Sequence, residues 1–432
     1  MKVSLQSAES FERIWLISLK AFSAFEAGFE SSGGDCCVDP KDFRAPAAGK
    51  VIQTRARYAA FVPAPLPPAL DYSRELVLRL SRGDAALSEL SGLGRHLPNP
   101  HLLIAPYVRR EAVLSSRIEG TRTTLSDLLL EEVGARTANG DPDDVREVRN
   151  YVTALEYGLE RLESLPLSLR LVRELHEHLM RGVRGERATP GEFRRTQNWI
   201  GPPGSTAETA PYVPPPPQEM QEALWAWEKF LHERNQLPEL IQCALIHEQF
   251  EAIHPFLDGN GRVGRLLIPL FLIERGRLSQ PLLYLSAYIE AHRHDYYDCL
   301  QTVRTDGDWN GWLLFFLAGV IETAQQGVQQ AGNLMNLREK FRARLRNKPR
   351  ALLLLDQLFV NPYLTVARAV HLLKVSDPTA RQAVQQLEKC GMLEEVTGRG
   401  WGRLYLARPI FNAIEGRVRQ RPSAKVAKRD VI

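Results

Sequence analysis

The sequence predicts a mainly α-helical protein, on three observations. Apolar residues recur at helical spacing from about Asp144 to Gln329. The interruptions in that run are Gly and Pro clusters. Strand-like runs are short and few: two flank a Gly/Pro turn after Asn198, and two lie near the C-terminus. A chain of 432 residues can bury a sizeable core and divide into two or three domains. Its 44% hydrophobic and 25% charged residues are the balance of an ordinary soluble globular protein.

Residues 1–49 read as a poorly organised extension with Ser31-Ser32-Gly33-Gly34 near its middle. The apolar stretch after Trp15 is broken by Lys20 and Glu26, and no basic segment precedes it. Neither a signal peptide nor a membrane span is expected, and the cytoplasm is the default location. Five cysteines give an odd count: Cys36 and Cys37 are adjacent, while Cys243, Cys299 and Cys390 stand alone. Reduced thiols fit that pattern better than a disulfide framework or a metal site.

Residues 50–130 are expected to form an N-terminal helical region. Val62-Pro63-Ala64-Pro65-Leu66-Pro67-Pro68 is held extended by its prolines, and helical runs begin at Tyr72 and at about Ile104, the second reaching Ser116. Residues 131–335 carry the long helical pattern. Its largest break is Asn198-Trp199-Ile200-Gly201-Pro202-Pro203-Gly204, continuing to Ala210-Pro211-Tyr212-Val213 and four prolines. Two short apolar runs around that turn predict a small β-hairpin among helices.

Residues 336–416 change character again. Ala351–Leu355 opens an apolar helix, Thr365–Leu373 reads as a second, and Ser376-Asp377-Pro378 caps a third from Thr379 to Cys390. Met392–Val396 and Leu404–Leu406 then read as strands around the basic, glycine-rich Thr397–Arg403. Three helices and such a hairpin resemble a winged helix-turn-helix. That resemblance implies a third helix offering Thr379, Arg381, Gln382 and Gln385 to a DNA major groove, with Arg399 and Arg403 on the wing. Winged helices also serve in dimerisation and protein docking, so a homodimer is the rival use. Residues 417–432 are a basic tail. From Arg338 onward there are 20 Lys+Arg against 8 Asp+Glu, leaving 35 against 43 for the rest. A basic end on an acidic body suggests a module with an anionic partner.

The chemistry concentrates in His254-Pro255-Phe256-Leu257-Asp258-Gly259-Asn260-Gly261-Arg262-Val263-Gly264-Arg265. Twelve residues supply a base, a carboxylate suited to magnesium, a turn rich in backbone N–H groups, and two arginines on one helix face. That inventory suits a nucleoside triphosphate. Gly259-x-Gly261-x-x-Gly264 matches a dinucleotide fingerprint, but a helical stretch precedes it and no acidic ribose partner follows. No Gly-Lys-Ser/Thr completes a Walker A loop. In His247-Glu248, the second histidine of a zinc-protease helix would fall on Glu251.

The twelve residues closely resemble the signature of the Fic family, His-x-Phe-x-(Asp/Glu)-Gly-Asn-Gly-(Arg/Lys)-x-x-Arg, with every defining position filled. The resemblance covers about residues 57–330 and implies a helical core whose β-hairpin is a flap that grips an extended target by strand addition. Ile200, Gly201, Tyr212 and Val213 would form that flap. The implied activity is transfer of AMP from ATP, with Mg2+, to a Ser, Thr or Tyr hydroxyl of a target protein or of the chain itself. His254 would be the general base, Asp258 the metal ligand, and Phe256 a packing anchor. Gly259, Asn260, Gly261, Arg262, Val263, Gly264 and Arg265 would bind ATP, Arg265 toward the γ end, with Tyr296 against the base. Ser115-Ser116-Arg117-Ile118-Glu119-Gly120 resembles the family's inhibitory pattern (Ser/Thr)-x-x-x-Glu-(Gly/Asn), so Ser115 and Glu119 would hold Arg265 away from the γ-phosphate. Removal of AMP with Glu119 orienting a water, transfer from another nucleotide such as UTP, and a nucleotide-sensing transcriptional regulator remain as alternatives. An intact His254 argues against pure sensing, which needs no base.

Overall fold

The computed structural model describes residues 41–96, 101–135, 141–183, 189–202 and 204–416. The Ser31–Gly34 stretch, Cys36, Cys37 and the basic tail lie outside these residues. The chain separates into two compact units, one holding described residues up to 328 except 101–106, the other holding 101–106 and 329–416.

The larger unit begins with β1 (Gly49–Gln53) and β2 (Ala59–Pro63), then α1 (Arg74–His96), α2 (His101–Ile118), α3 (Leu125–Glu132), α4 (Pro142–Arg161) and α5 (Leu169–Met180). After a long loop come α6 (Pro217–His232), α7 (Glu239–Ile253), α8 (Asn260–Glu274), α9 (Ser286–Ala291) and α10 (Arg293–Asp306). Helix α11 (Trp309–Leu345) runs unbroken through the 335/336 boundary expected from the sequence. No Gly/Pro break stands there, so the change of composition does not coincide with a change of element.

Helix α7 is the centre of this unit. Its residues from Leu240 to Ile253 are all buried, as a helix apolar on every face requires. Both of its glutamines find partners: Gln242 Nε2 donates to Phe230 O at 2.8 Å, and Gln249 Nε2 to Ala64 O at 3.0 Å. Trp227 and Trp312 each donate an indole N–H to a carbonyl of α7, at Ile246 and Ala244. Helices α1, α6 and α8 pack on α7, while α4 and α5 pair with each other and reach α8. Capping follows sequence rules, as where Thr124 and Asp127 form a reciprocal capping box at α3.

The β structure differs from the expectation. The hairpin predicted around Asn198–Gly204 is a single antiparallel bridge, Ile200 with Tyr212. Pro202, Pro203, Pro211 and the run Pro214–Pro217 have no N–H to continue a ladder. A true hairpin lies instead at 49–63, where β1 and β2 pair antiparallel from Gly49↔Pro63 to Gln53↔Ala59. Phe61 N donates to Val213 O at 2.9 Å, which attaches β2 to the returning arm of the bridged loop. Ala60, Ala210 and Val213 form a small core there, covered by Phe43, Val51, Ile52, Tyr58 and Ala59.

The smaller unit continues from α11 into α12 (Pro349–Val360), β3 (Tyr363–Thr365), α13 (Val366–Leu373), α14 (Asp377–Lys389), β4 (Glu394–Glu395), β5 (Leu404–Leu406) and α15 (Arg408–Glu415). The three predicted helices and two predicted strands lie within a residue or two of these elements, β5 without a shift. Sequence reasoning missed β3, which places β5 in the middle of an antiparallel sheet ordered β3-β5-β4. Three residues are too short for periodicity to register. Among the described residues no helix is long and apolar enough to cross a membrane.

Candidate active site

His254 ends α7 in the left-handed region, φ 51° and ψ 62°. That turn swings the chain out of the helix and begins the loop to α8. Asn260 latches the loop: its Oδ1 accepts from Phe256 N at 2.8 Å and its Nδ2 donates to Phe256 O at 2.9 Å. Phe256 is fully buried and stacks on His176 with centroids 3.7 Å apart. Gly191 N donates to His176 Nδ1 at 2.9 Å, so the ring proton is on Nε2, which donates to Asp258 O at 3.1 Å. Burial holds the His176 pKa down to about 4, which keeps this one-donor, one-acceptor tautomer at neutral pH.

The ring of His254 has the opposite tautomer. Its Nδ1 lies 3.3 Å from Glu251 O, and a carbonyl can only accept, so Nδ1 carries the hydrogen. Nε2 then presents a lone pair. Burial first, then the charges of Arg194 and Arg304, push its pKa down to about 3. The imidazole is therefore unprotonated at pH 7, the form in which it accepts a proton.

Helix α8 opens at Gly259, φ 79°, where a Cβ would come within 3.0 Å of Met180 Sδ. Arg262 is buried; its Nη1 pairs with Glu147 Oε2 at 3.1 Å and its Nη2 with Asp258 Oδ1 at 3.4 Å, while its Nε has no partner. Asp258 itself is half-exposed. Arg265, one turn on, is bound by the helix expected to inhibit it. Its Nε donates to Ser115 Oγ at 2.8 Å and its Nη2 to Ser115 O at 3.0 Å and Glu119 Oε1 at 2.6 Å. The Glu119 carboxylate also lies over Gly261, so that a Cβ at Gly261 would collide with it. A carboxylate thus occupies the N-terminal end of α8, where the helix dipole and open amides favour an anion. Burial raises the Glu119 pKa, but Arg265, then Arg262 and Arg293, outweigh it and leave the carboxyl below its usual range.

The other predicted residues are placed as follows. Val263 is fully buried, and a Cβ on Gly264 would meet Glu251 and His247, so both side-chain positions serve the packing of α8 on α7. Tyr296 lies in the core. Its hydroxyl is 2.9 Å from His247 Nε2, and since His247 Nδ1 must donate to Gly264 O, Tyr296 donates to His247. Ile200 and Gly201 stand on the outer arm of the bridged loop; Tyr212 and Val213 are buried on the returning arm, and Tyr212 Oη donates to Ala252 O at 2.6 Å.

Sequence reasoning missed His176, Glu147, Glu251 and Arg194. His176 and Glu147 sit on the polar-looking helices α5 and α4 with no spacing that links them to the signature. Glu251 lies three residues before His254, buried with its Oε1 unpartnered and its pKa raised by burial to about 7. A carboxylate inside an apolar helical run was the available signal.

With this geometry described, comparison with known proteins is informative. Residues 77–160 match the Fic/DOC family N-terminal description, and residues 166–272 match the Fic/DOC family description. These stretches belong to the Fic/DOC family. The chain is similar to the protein adenylyltransferase Fic of Drosophila grimshawi, 31% identical over 137 residues, which are 31% of this chain and 26% of that protein. It is also similar to a probable protein adenylyltransferase of Aquifex aeolicus, 27% identical over 190 residues, or 43% of this chain and 54% of that one. The chain thus spans between about a quarter and a half of these relatives. A solved Fic family protein from Desulfovibrio desulfuricans G20 shares the fold, with a TM-score of 0.53 at 20% identity, covering 79% of this chain and 98% of that one. The Fic match ends at residue 272, within α8, and includes His254 and both signature arginines.

Proposed function

We propose that this Fic protein transfers AMP from ATP to a hydroxyl of a target protein, or of itself, and that Glu119 holds it inactive. The observation that carries the reading is the left-handed turn at His254 that leads into the N-terminal end of α8, with Nδ1 of the ring facing Glu251 O so that Nε2 is left to accept a proton, and with Asp258 paired to Arg262. A hydroxyl oxygen attacks the α-phosphorus, its proton passes to His254 Nε2, and the bond to the β,γ-pyrophosphate breaks. The buried, unpartnered Nε of Arg262, and the face of Gly261 once the Glu119 carboxylate has left it, suit phosphate oxygens.

Magnesium fits the donor set only in company with a nucleotide. Among the described residues no group of three or more His, Cys, Asp or Glu is placed to hold a metal. One half-exposed carboxylate, Asp258, suffices for an ion that takes the rest of its shell from phosphate and water. Bound there, it would neutralise charge on the leaving pyrophosphate. Ile200 and the outer arm of its loop would receive the target strand, and the bridge to Tyr212 anchors that arm. Incubation of the chain with each α-labelled nucleoside triphosphate, followed by intact mass, tests the reaction. A gain of one AMP is expected from ATP. A gain from UTP alone would replace the nucleotide, and no gain from any, even in a Glu119→Gly chain, would reject transfer.

A second reading concerns the smaller unit. Trp401 is 86% exposed between Arg399 and Arg403 on a turn with glycines at 398, 400 and 402. Arg381, Gln382 and Gln385 are exposed on α14. Cations and an aromatic ring on such a tip favour duplex DNA over a protein partner. Retention of the full chain on DNA should fall steeply with salt, and Arg399→Glu with Arg403→Glu should weaken it. Unchanged retention in that variant would leave the wing without a DNA role.

A further inference from the structure

We propose that Arg194 is a positioning residue that ties both arms of the flap loop to His254, so that the segment receiving the target and the base taking its proton are set as one unit. The proposal rests on the transfer reading above. Arg194 is 2% exposed, and its donors go to carbonyls. Nε donates to His254 O at 2.9 Å, Nη1 to Thr196 O at 3.3 Å, and Nη2 to Pro215 O at 2.5 Å and Ile253 O at 3.4 Å. Its backbone N–H donates to Pro255 O at 2.9 Å.

Half of this is helix chemistry. The last carbonyls of a helix have no partner within it, and a cation is favoured at that end. Ile253 and His254 leave α7 through a left-handed turn, and Arg194 binds both carbonyls. Capping does not explain the rest. Thr196 and Pro215 flank the Ile200–Tyr212 bridge, one on the outgoing arm and one on the return. One planar guanidinium thus fixes the distance from each arm to the base, which a lysine's single ammonium cannot do with the same fork.

Two neighbours act in the same sense. Asn198 Nδ2 donates to Phe256 O at 2.9 Å and to His254 O at 3.4 Å, and Tyr212 Oη donates to Ala252 O. Every residue from Ala252 to Phe256 therefore has its carbonyl bound by Arg194, Asn198 or Tyr212. Burying a guanidinium without a carboxylate is costly unless its hydrogens are bonded; burial lowers its pKa only to about 10, so it stays charged at neutral pH.

The test uses the full chain in a Glu119→Gly background. Misplacement of a catalytic group by about 1 Å costs about 10²-fold. Arg194→Lys should lower kcat by about that factor while the dissociation constant for ATP stays unchanged. Asn198→Ala, which removes a partly exposed side chain and keeps the buried cation, should lower kcat about tenfold, half of that effect on a logarithmic scale. It carries the test if Arg194→Lys does not fold. A second readout is the NMR signal of the His254 ring, assigned by its loss in His254→Ala; it should shift or broaden in both variants. Parental kcat in both, or kcat and ATP affinity falling together, would overturn the proposal. If the Glu119→Gly parent itself transfers nothing, the transfer reading fails, and the ring signal alone decides: an unchanged ring refutes positioning.

Discussion

His254→Ala should lower transfer by about 10²- to 10⁴-fold, the usual cost of removing a general base. ATP affinity should hardly change, because in the proposed reaction the ring takes a proton from the hydroxyl and does not hold the phosphates. Its Nδ1–H is committed to Glu251 O, so the only basic atom is Nε2. With the pKa held near 3 by burial and by Arg194 and Arg304, the free protein has this atom unprotonated across the neutral range. The expected pH profile follows. A pKa depressed that far puts any loss of activity from protonating His254 well below neutrality, so a change of rate between about pH 6 and 8 should come from another group, such as Glu251, whose carboxyl burial raises to about 7. Single-turnover rates for wild type and His254→Ala, with calorimetry for ATP, check both points. Near-normal transfer by the variant, or parallel loss of ATP binding, would remove His254 from the role of base.

The legibility of this chain from its sequence divides along physical lines. Signals that are local were readable. The helices of the smaller unit and the His254–Arg265 signature depend on neighbours a few residues away, although Ser376 makes no side-chain capping bond. The Glu119–Arg265 pair spans 146 residues, yet it was anticipated because a family pattern marked both ends. Contacts between distant residues without such a mark were not readable. His176 under Phe256, Glu147 on Arg262 and Arg194 on the α7 carbonyls are brought together only by the packing of α4, α5 and α7 around α8. The hairpin expected after Asn198 failed for a related reason. The Ile200 and Tyr212 arms look like strands by composition, but their prolines leave one bridge, whereas Gly49–Gln53 pairs fully from a stretch with weak alternation. Pairing depends on N–H groups and partners as well as apolar content.

Glu119→Gly should raise self-adenylylation by one to two orders of magnitude. Arg265 is 2% exposed along its side chain, and three of its donated bonds go to Ser115 and Glu119. The Glu119 side chain is one-third exposed, so solvent screens the pair and it can open without unpacking α2. A closed state favoured by about 3 kcal/mol would leave under about 1% of molecules open. Two effects add to the gain in the glycine variant: Arg265 is released, and the carboxylate leaves the N-terminal end of α8 over Gly261. Glu119→Gln separates them. It keeps the bulk over Gly261 and removes the charge, so it should release less than glycine but more than Glu119→Asp, whose shorter arm keeps the charge. Adding Arg265→Ala to Glu119→Gly should cancel most of the gain, because in the proposed reaction the freed guanidinium would bind the γ-phosphate. Ser115→Ala should give a smaller rise, since it removes one neutral acceptor and leaves the ion pair. Rates measured at matched ATP and magnesium decide the order. Equal rates for wild type and Glu119→Gly would make Glu119 an ordinary carboxylate at the end of a helix.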